Sequence, residues 1–190
     1  MRVYLVRHGK AKSKEEDPER HLTERGAEEV RRVAKFLAAA GIQVSKILHS
    51  GKTRARQTAE ILTKELKARE VKQVEALDPL ADPKVWAEKL GESSEDLMLV
   101  GHLPHLSKLV SLLLLGEDKE IIKFAAGGVV CLERDEEGRW TILWTIRPDI
   151  ISHRLGISVV HPQLSALLRS TSVINIGGKI RYPLSQEGRI

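Results

Sequence analysis

Three short apolar runs constrain this chain more than any other feature. Each ends in a chemically loaded break and then gives way to a helical pattern. Residues 2–6 run into Arg7-His8-Gly9, residues 45–48 lead into His49-Ser50-Gly51, and residues 97–100 break at Gly101-His102-Leu103-Pro104. Between them apolar side chains recur at helical spacing, as in Ala59, Ile61, Leu62 and Leu66. The alternation predicts strands at 2–7, 45–49, 73–77 and 97–101, and helices at about 23–40, 53–67, 83–90 and 104–115. Two further strands, 127–134 and 139–146, are joined by Asp135-Glu136-Glu137-Gly138 as a hairpin. The fold class is therefore α/β, a mostly parallel sheet with helices on both faces and an antiparallel hairpin near one edge.

Local signals set the helix starts. Thr23 is placed to cap the first helix, Ser50 or Thr53 the second, and Asp82, before Pro83, the third. At 190 residues and 42% hydrophobic composition the chain can bury a sizeable core in one domain. The run from Leu112 to Leu115 is too short to span a bilayer, and charge follows the first apolar stretch too soon for a signal peptide. A cytoplasmic protein without a membrane association is expected. The single cysteine, Cys131, lies in a strand pattern and reads as a core thiol with no disulfide and no metal role.

The strand ends carry the chemistry. Ligands of open α/β sheets collect at strand C-termini, and these three deliver two imidazoles and two guanidiniums. Arg7 can grip phosphate oxygens with its planar fork, and Gly9 lets the chain turn sharply and approach an anion. His8 can attack phosphorus if its ring is neutral. Arg54 falls in the first turn of the second helix, where a cation is unfavourable unless an anion is held beside it. Each signal alone has a plain structural explanation, and Arg56 reads as a solvated helix arginine. Three strand ends carrying Arg-His-Gly, Arg and Gly-His are harder to explain by packing than by one shared pocket.

The chain resembles the histidine phosphatase superfamily and, within it, the SixA-type phosphohistidine phosphatases. The likeness rests on Val6-Arg7-His8-Gly9, on Arg20-His21-Leu22-Thr23-Glu24-Arg25-Gly26, on Ser50 to Thr58, and on Val100-Gly101-His102-Leu103-Pro104, and it covers about residues 1 to 148. It implies a phosphoglycerate-mutase-like fold, His8 as the nucleophile that takes up the phosphoryl group, and Arg7, Arg54 and His102 as the lining of the phosphate pocket. The chemistry supports those roles, since fixed cationic donors stabilise the equatorial oxygens of a transferring phosphoryl group with no cofactor. In this reading His102 acts as imidazolium while His8 is neutral with its second nitrogen held by a backbone carbonyl. Activity would then fall on both sides of a pH optimum.

Larger members of the superfamily place a glutamate after the third strand as general acid. Here the stretch reads Glu75-Ala76-Leu77-Asp78-Pro79-Leu80-Ala81-Asp82-Pro83, with none at that place. Asp78 is a weak candidate acid, and Asp82 reads as a cap. Without an acid an alkoxide leaves poorly, whereas the imidazole of phosphohistidine, with a pKa of about 6.5, leaves with little help. The short spacing from Arg54 to His102 also omits the insertions that wall in small substrates, which leaves a pocket open enough for a histidine presented on a folded protein. The expected partner is thus a phosphohistidine-bearing protein, with no nucleic acid. A small-ester phosphatase using Asp78 and a non-catalytic phospho-ligand binding module are the alternatives.

Residues 149–190 fall outside the family pattern and read as a basic C-terminal extension after a domain at 1–148. From 151 onward five basic residues (Arg154, Arg169, Lys179, Arg181 and Arg189) face the single acid Glu187, so this stretch carries most of the net charge of +5. The sequence pI of about 9.4 therefore says nothing about nucleic-acid binding by the fold. A short helix at 162–169 and a hairpin around Gly177-Gly178 are expected there. His21, His49, His105, His153 and His161 lack a phosphate-site context.

Overall fold

A computed structural model describes residues 1–151. The elements run β1 (Arg2–Arg7), α1 (Glu24–Ala39), β2 (Lys46–His49), α2 (Thr53–Leu66), β3 (Glu70–Gln73), α3 (Lys84–Glu92), β4 (Leu97–Gly101), α4 (His105–Leu115), β5 (Val129–Arg134) and β6 (Trp140–Ile146). They build one six-stranded sheet in the order β3-β2-β4-β1-β5-β6. The first four strands in that order are parallel, and β5 and β6 join antiparallel to close one edge.

Alternation along the central strands decides which helices cover which face, because successive strand residues point to opposite sides. Tyr4 and Val6 of β1, with Met98 and Val100 of β4, pack under Val30, Val33 and Leu37 of α1 and Ala55, Ala59 and Leu62 of α2. Val3 and Leu5, with Leu97 and Leu99, pack under Trp86 and Leu90 of α3 and Leu106, Leu109 and Val110 of α4. A strand apolar at every position is the signature of a sheet buried on both faces. Each such Leu or Val removed from water contributes about 1.5–3 kcal/mol before entropy is counted. Cys131 is a free thiol within the first of these clusters, and burial pushes its pKa up to about 11.

Thr23 caps α1 as expected, its Oγ1 accepting from the Gly26 amide at 3.0 Å. A side chain at Gly26 would collide with the Lys10 backbone, so glycine lets the first turn of α1 approach the loop after β1. The start of α2 differs from expectation. Its N-cap residue is Lys52, no side chain caps it, Thr53 is already helical, and the Ser50 hydroxyl is engaged elsewhere. For α3 the cap position falls to Pro83, although the Asp82 carboxylate accepts from the Lys84 amide at 2.9 Å.

The third strand also lies earlier than the apolar pattern suggested, at 70–73 rather than 73–77. Glu70, Val71, Lys72 and Gln73 form an exposed edge strand. The apolar residues that follow belong to a loop that tucks Leu77 into the core beneath α3 and α4. Of the expected extension only 149–151 are described, and there Ile151 packs into the α1/α2 side of the core. The helix at 162–169, the hairpin around Gly177-Gly178, His153 and His161 lie outside the described residues. Among the described residues no helix is long and apolar enough to cross a membrane.

Candidate active site

Parallel pairing sets Arg7 beside Gly101 and His49 beside Val100, so β1, β2 and β4 end together. The residues that follow are His8, Ser50 and His102. Two hydrogen bonds tie the loop after β1 to α2: the Gly9 amide donates to Thr58 Oγ1 at 3.0 Å, and the Thr58 hydroxyl donates to the Arg54 carbonyl at 2.7 Å. Thr58 is fully buried. Gly9 does not adopt a positive φ; it is small because a Cβ there would press on Val30 and Leu22. Its role is space rather than the sharp turn anticipated from the sequence.

The His8 ring is held at both nitrogens. Nδ1 lies 2.7 Å from the Gly9 carbonyl oxygen, and Nε2 accepts from Arg54 Nε at 3.2 Å. A carbonyl only accepts and a guanidinium only donates, so the proton sits on Nδ1 and the lone pair on Nε2. Burial lowers the His8 pKa to about 4; the Gly9 carbonyl opposes that shift, and the charges of Arg54, Arg7 and Arg20 add to it. The ring is neutral at neutral pH, with its unprotonated nitrogen held by Arg54.

Arg7 donates from Nη1 to the Phe124 carbonyl at 2.8 Å, and burial lowers its pKa. Arg54 is likewise lowered, by burial first and then by Arg20. Both remain cations at any ordinary pH. His102 is 1% exposed, with its ring centroid 4.9 Å from that of His8. Its Nε2 is 2.6 Å from Ser50 Oγ, and its buried Nδ1 has no hydrogen-bond partner among the described residues. Burial, then His8, Arg54, Lys52 and His105, lower its pKa to about 2. The unliganded ring is therefore neutral, as a buried ring among cations stays, and the imidazolium expected from the sequence refers to the site with phosphate bound.

Arg20 is a residue that sequence reasoning left without a role. It takes a left-handed backbone conformation, φ 55°, which is costly for a non-glycine residue and clusters at functional sites. Its Nε donates to the Lys12 carbonyl at 3.3 Å, and its charge lowers both His8 and Arg54. The available signal was its place at the head of the Arg20-to-Gly26 stretch. Asp78 stands nearby, half exposed, ion-paired to Lys52 at 3.0 Å and acting on Arg54 through its charge.

The remaining candidates lie apart or beneath. Arg56 is exposed and faces Glu60 at 3.9 Å. His21 pairs with Asp17 at 2.7 Å. His49 is buried and accepts from the Gly51 amide at 3.0 Å, shaping the loop after β2. His105 is buried at the start of α4 with neither ring nitrogen hydrogen-bonded among the described residues, and burial lowers its pKa.

The chain matches the model of the histidine phosphatase superfamily (branch 1) over residues 3–81. Phosphohistidine phosphatase SixA of Escherichia coli (strain K12) is 29% identical over 154 residues, which span 78% of this chain and 94% of the relative. An uncharacterised protein of Picosynechococcus sp. is 32% identical over 140 residues, 70% of this chain and 84% of that protein. Among solved structures, the protein histidine phosphatase SixA complexed with tungstate aligns with a TM-score of 0.72 at 26% identity, covering 80% of this chain and 100% of that one.

Proposed function

The chain belongs to the histidine phosphatase superfamily, and from that membership we propose that it dephosphorylates phosphohistidine on proteins through a phosphoryl group carried by His8. The observation that carries this reading is the His8 ring, neutral, with Nδ1 against the Gly9 carbonyl and its Nε2 lone pair at the Arg54 guanidinium. The bacterial relative named as a phosphohistidine phosphatase supports the substrate class.

In the first step His8 Nε2 attacks phosphorus in line. The new P–Nε2 bond forms as the P–N bond of the substrate breaks, and the substrate imidazole, already protonated on its other nitrogen, departs neutral. In the second step water attacks phosphorus, P–Nε2 breaks, and inorganic phosphate leaves with His8 restored. Arg7 and Arg54 are the cationic clamp for the equatorial oxygens, and His102 supplies a further N–H donor. Arg20 adds positive potential at the same place. An arriving phosphoryl anion raises the His102 pKa, so the ring can take up a proton when the charge it must stabilise is present.

Among the described residues, Asp78 supplies the carboxylate charge that acts on Arg54, and it favours a second reading in which that residue protonates the leaving group of a small phosphate ester. Its ion pair with Lys52 would be forfeited by a proton-bearing carboxyl, which weighs against that role. The test is a leaving-group series. Phosphate release is compared for a phosphohistidine protein, p-nitrophenyl phosphate and an alkyl phosphate, with His8→Ala as control. The proposal expects phosphohistidine to be cleaved fastest, the aryl ester next and the alkyl ester hardly at all. Rapid alkyl phosphate hydrolysis that depends on Asp78 would install the small-ester reading in its place.

A further inference from the structure

Ser50 lies one residue past β2, is 8% exposed and turns its side chain inward, with Oγ 2.6 Å from His102 Nε2. The register that places His49 beside Val100 brings these two strand-end residues together. Because His102 Nδ1 has no hydrogen-bond partner among the described residues, Ser50 provides the hydrogen bond that fixes the orientation of the ring.

Resting on the assignment of His102 to the phosphoryl pocket, we propose that Ser50 is a positioning residue for His102, whose hydroxyl keeps the ring in place through a change of charge. A hydroxyl both donates and accepts. Toward a neutral ring it donates O–H to the Nε2 lone pair; toward imidazolium it rotates and accepts Nε2–H. A backbone carbonyl at the same point would serve only a ring with a proton on Nε2, and a backbone N–H only a ring without one.

The charge change follows from the surroundings. His102 is acted on by His8 from the end of β1, by Lys52 and Arg54 from the start of α2, and by His105 from α4. Burial and those neighbours keep it neutral, and a phosphoryl anion between His8 and Arg54 reverses the local balance. The ring gains one proton, the hydroxyl turns, and no hydrogen bond is lost.

The experiment is an NMR titration of the His102 imidazole in the full chain, with and without saturating inorganic phosphate. It is accompanied by kcat and KM toward p-nitrophenyl phosphate, for the wild type and for S50A, S50T and S50V. Phosphate should raise the His102 midpoint in the wild type. In S50A and S50V the raised midpoint should lie about one pH unit lower. Their kcat should fall about tenfold or more while KM changes less. S50T should stay near the wild type. S50A or S50V with the wild-type midpoint and kcat overturns the proposal, and so does an S50T protein as impaired as S50V, since volume would then be the cause. Should S50A fail to fold, the isosteric Thr and Val pair decides. A wild-type His102 that ignores phosphate sinks the pocket reading and this proposal together. Ser50 variants that behave as wild type while His8→Ala is inactive sink this proposal alone.

Discussion

Arg54 Nε donates to His8 Nε2 across 3.2 Å, so the nitrogen proposed to attack phosphorus is held by a residue proposed to bind the phosphoryl oxygens. The guanidinium must transfer its hydrogen bond to the substrate as the lone pair turns to phosphorus. Until then the interaction keeps Nε2 unprotonated.

The cations give the sharpest comparison. Losing one preorganised donor to a transferring group costs about 3 kcal/mol, so Arg7→Ala and Arg54→Ala should each lower kcat/KM on the order of a hundredfold or more. Arg56→Ala, two residues on and exposed, should change it by less than about twofold. Steady-state kinetics on p-nitrophenyl phosphate checks this, and equal losses at Arg54 and Arg56 would move the phosphate site elsewhere.

The pH behaviour follows from two buried neutral imidazoles. His8 and His102 are depressed to about 4 and about 2, while an unfolded chain holds them at about 6.5. Between those values the unfolded state binds more protons, so their contribution to stability is present above about pH 6.5 and is lost as pH falls, through about 4 for His8 and about 2 for His102. Urea unfolding should show the decline, and it should be smaller in His8→Ala. NMR titration of unliganded His8 should give a midpoint near 4; a midpoint near the ordinary value would remove the basis for a neutral nucleophile held by Arg54.

Thr58 joins the loop that carries His8 to the helix that carries Arg54. Thr58→Val keeps the shape and strands the Gly9 amide without a partner, which should cost about 1–3 kcal/mol of stability. Because the same bond fixes the loop, kcat should fall as well. Unfolding curves and kinetics on one preparation check both, and a stable but slow variant would still locate the effect in loop placement.

What could be read from the sequence follows burial. Val3 to Val6 and Leu97 to Val100 are apolar throughout because both faces of the central strands are covered, and that pattern survives in the one-dimensional chain. The edge strand Glu70–Gln73 has no such pattern, and the loop after it, which buries Leu77, carries the apolar run of a strand. Residue types at the strand ends pointed to His8, Arg7, Arg54 and His102 as neighbours. The His102 charge state was illegible, because it depends on burial beside Arg54 and Lys52. Ser50, beside Thr53, reads as a candidate helix cap because its partner is 52 residues away.

Asp78→Asn separates the substrate readings. With phosphohistidine as substrate the variant should retain activity within about threefold, since a ring protonated on its other nitrogen leaves as neutral imidazole without an acid. Loss of the Lys52 ion pair, which is half exposed, should cost under about 1 kcal/mol of stability. Single-turnover rates on a phosphohistidine protein decide this, and a hundredfold loss would make Asp78 an acid.

A phosphoryl group carried by His8 is the intermediate to be caught. Enzyme mixed with a radiolabelled phosphohistidine protein, quenched in alkali within the first turnover and digested, should yield label on the peptide containing His8, with none in His8→Ala, which should not turn over. Label on any other residue, or steady phosphate release by the folded His8→Ala protein, would contradict it.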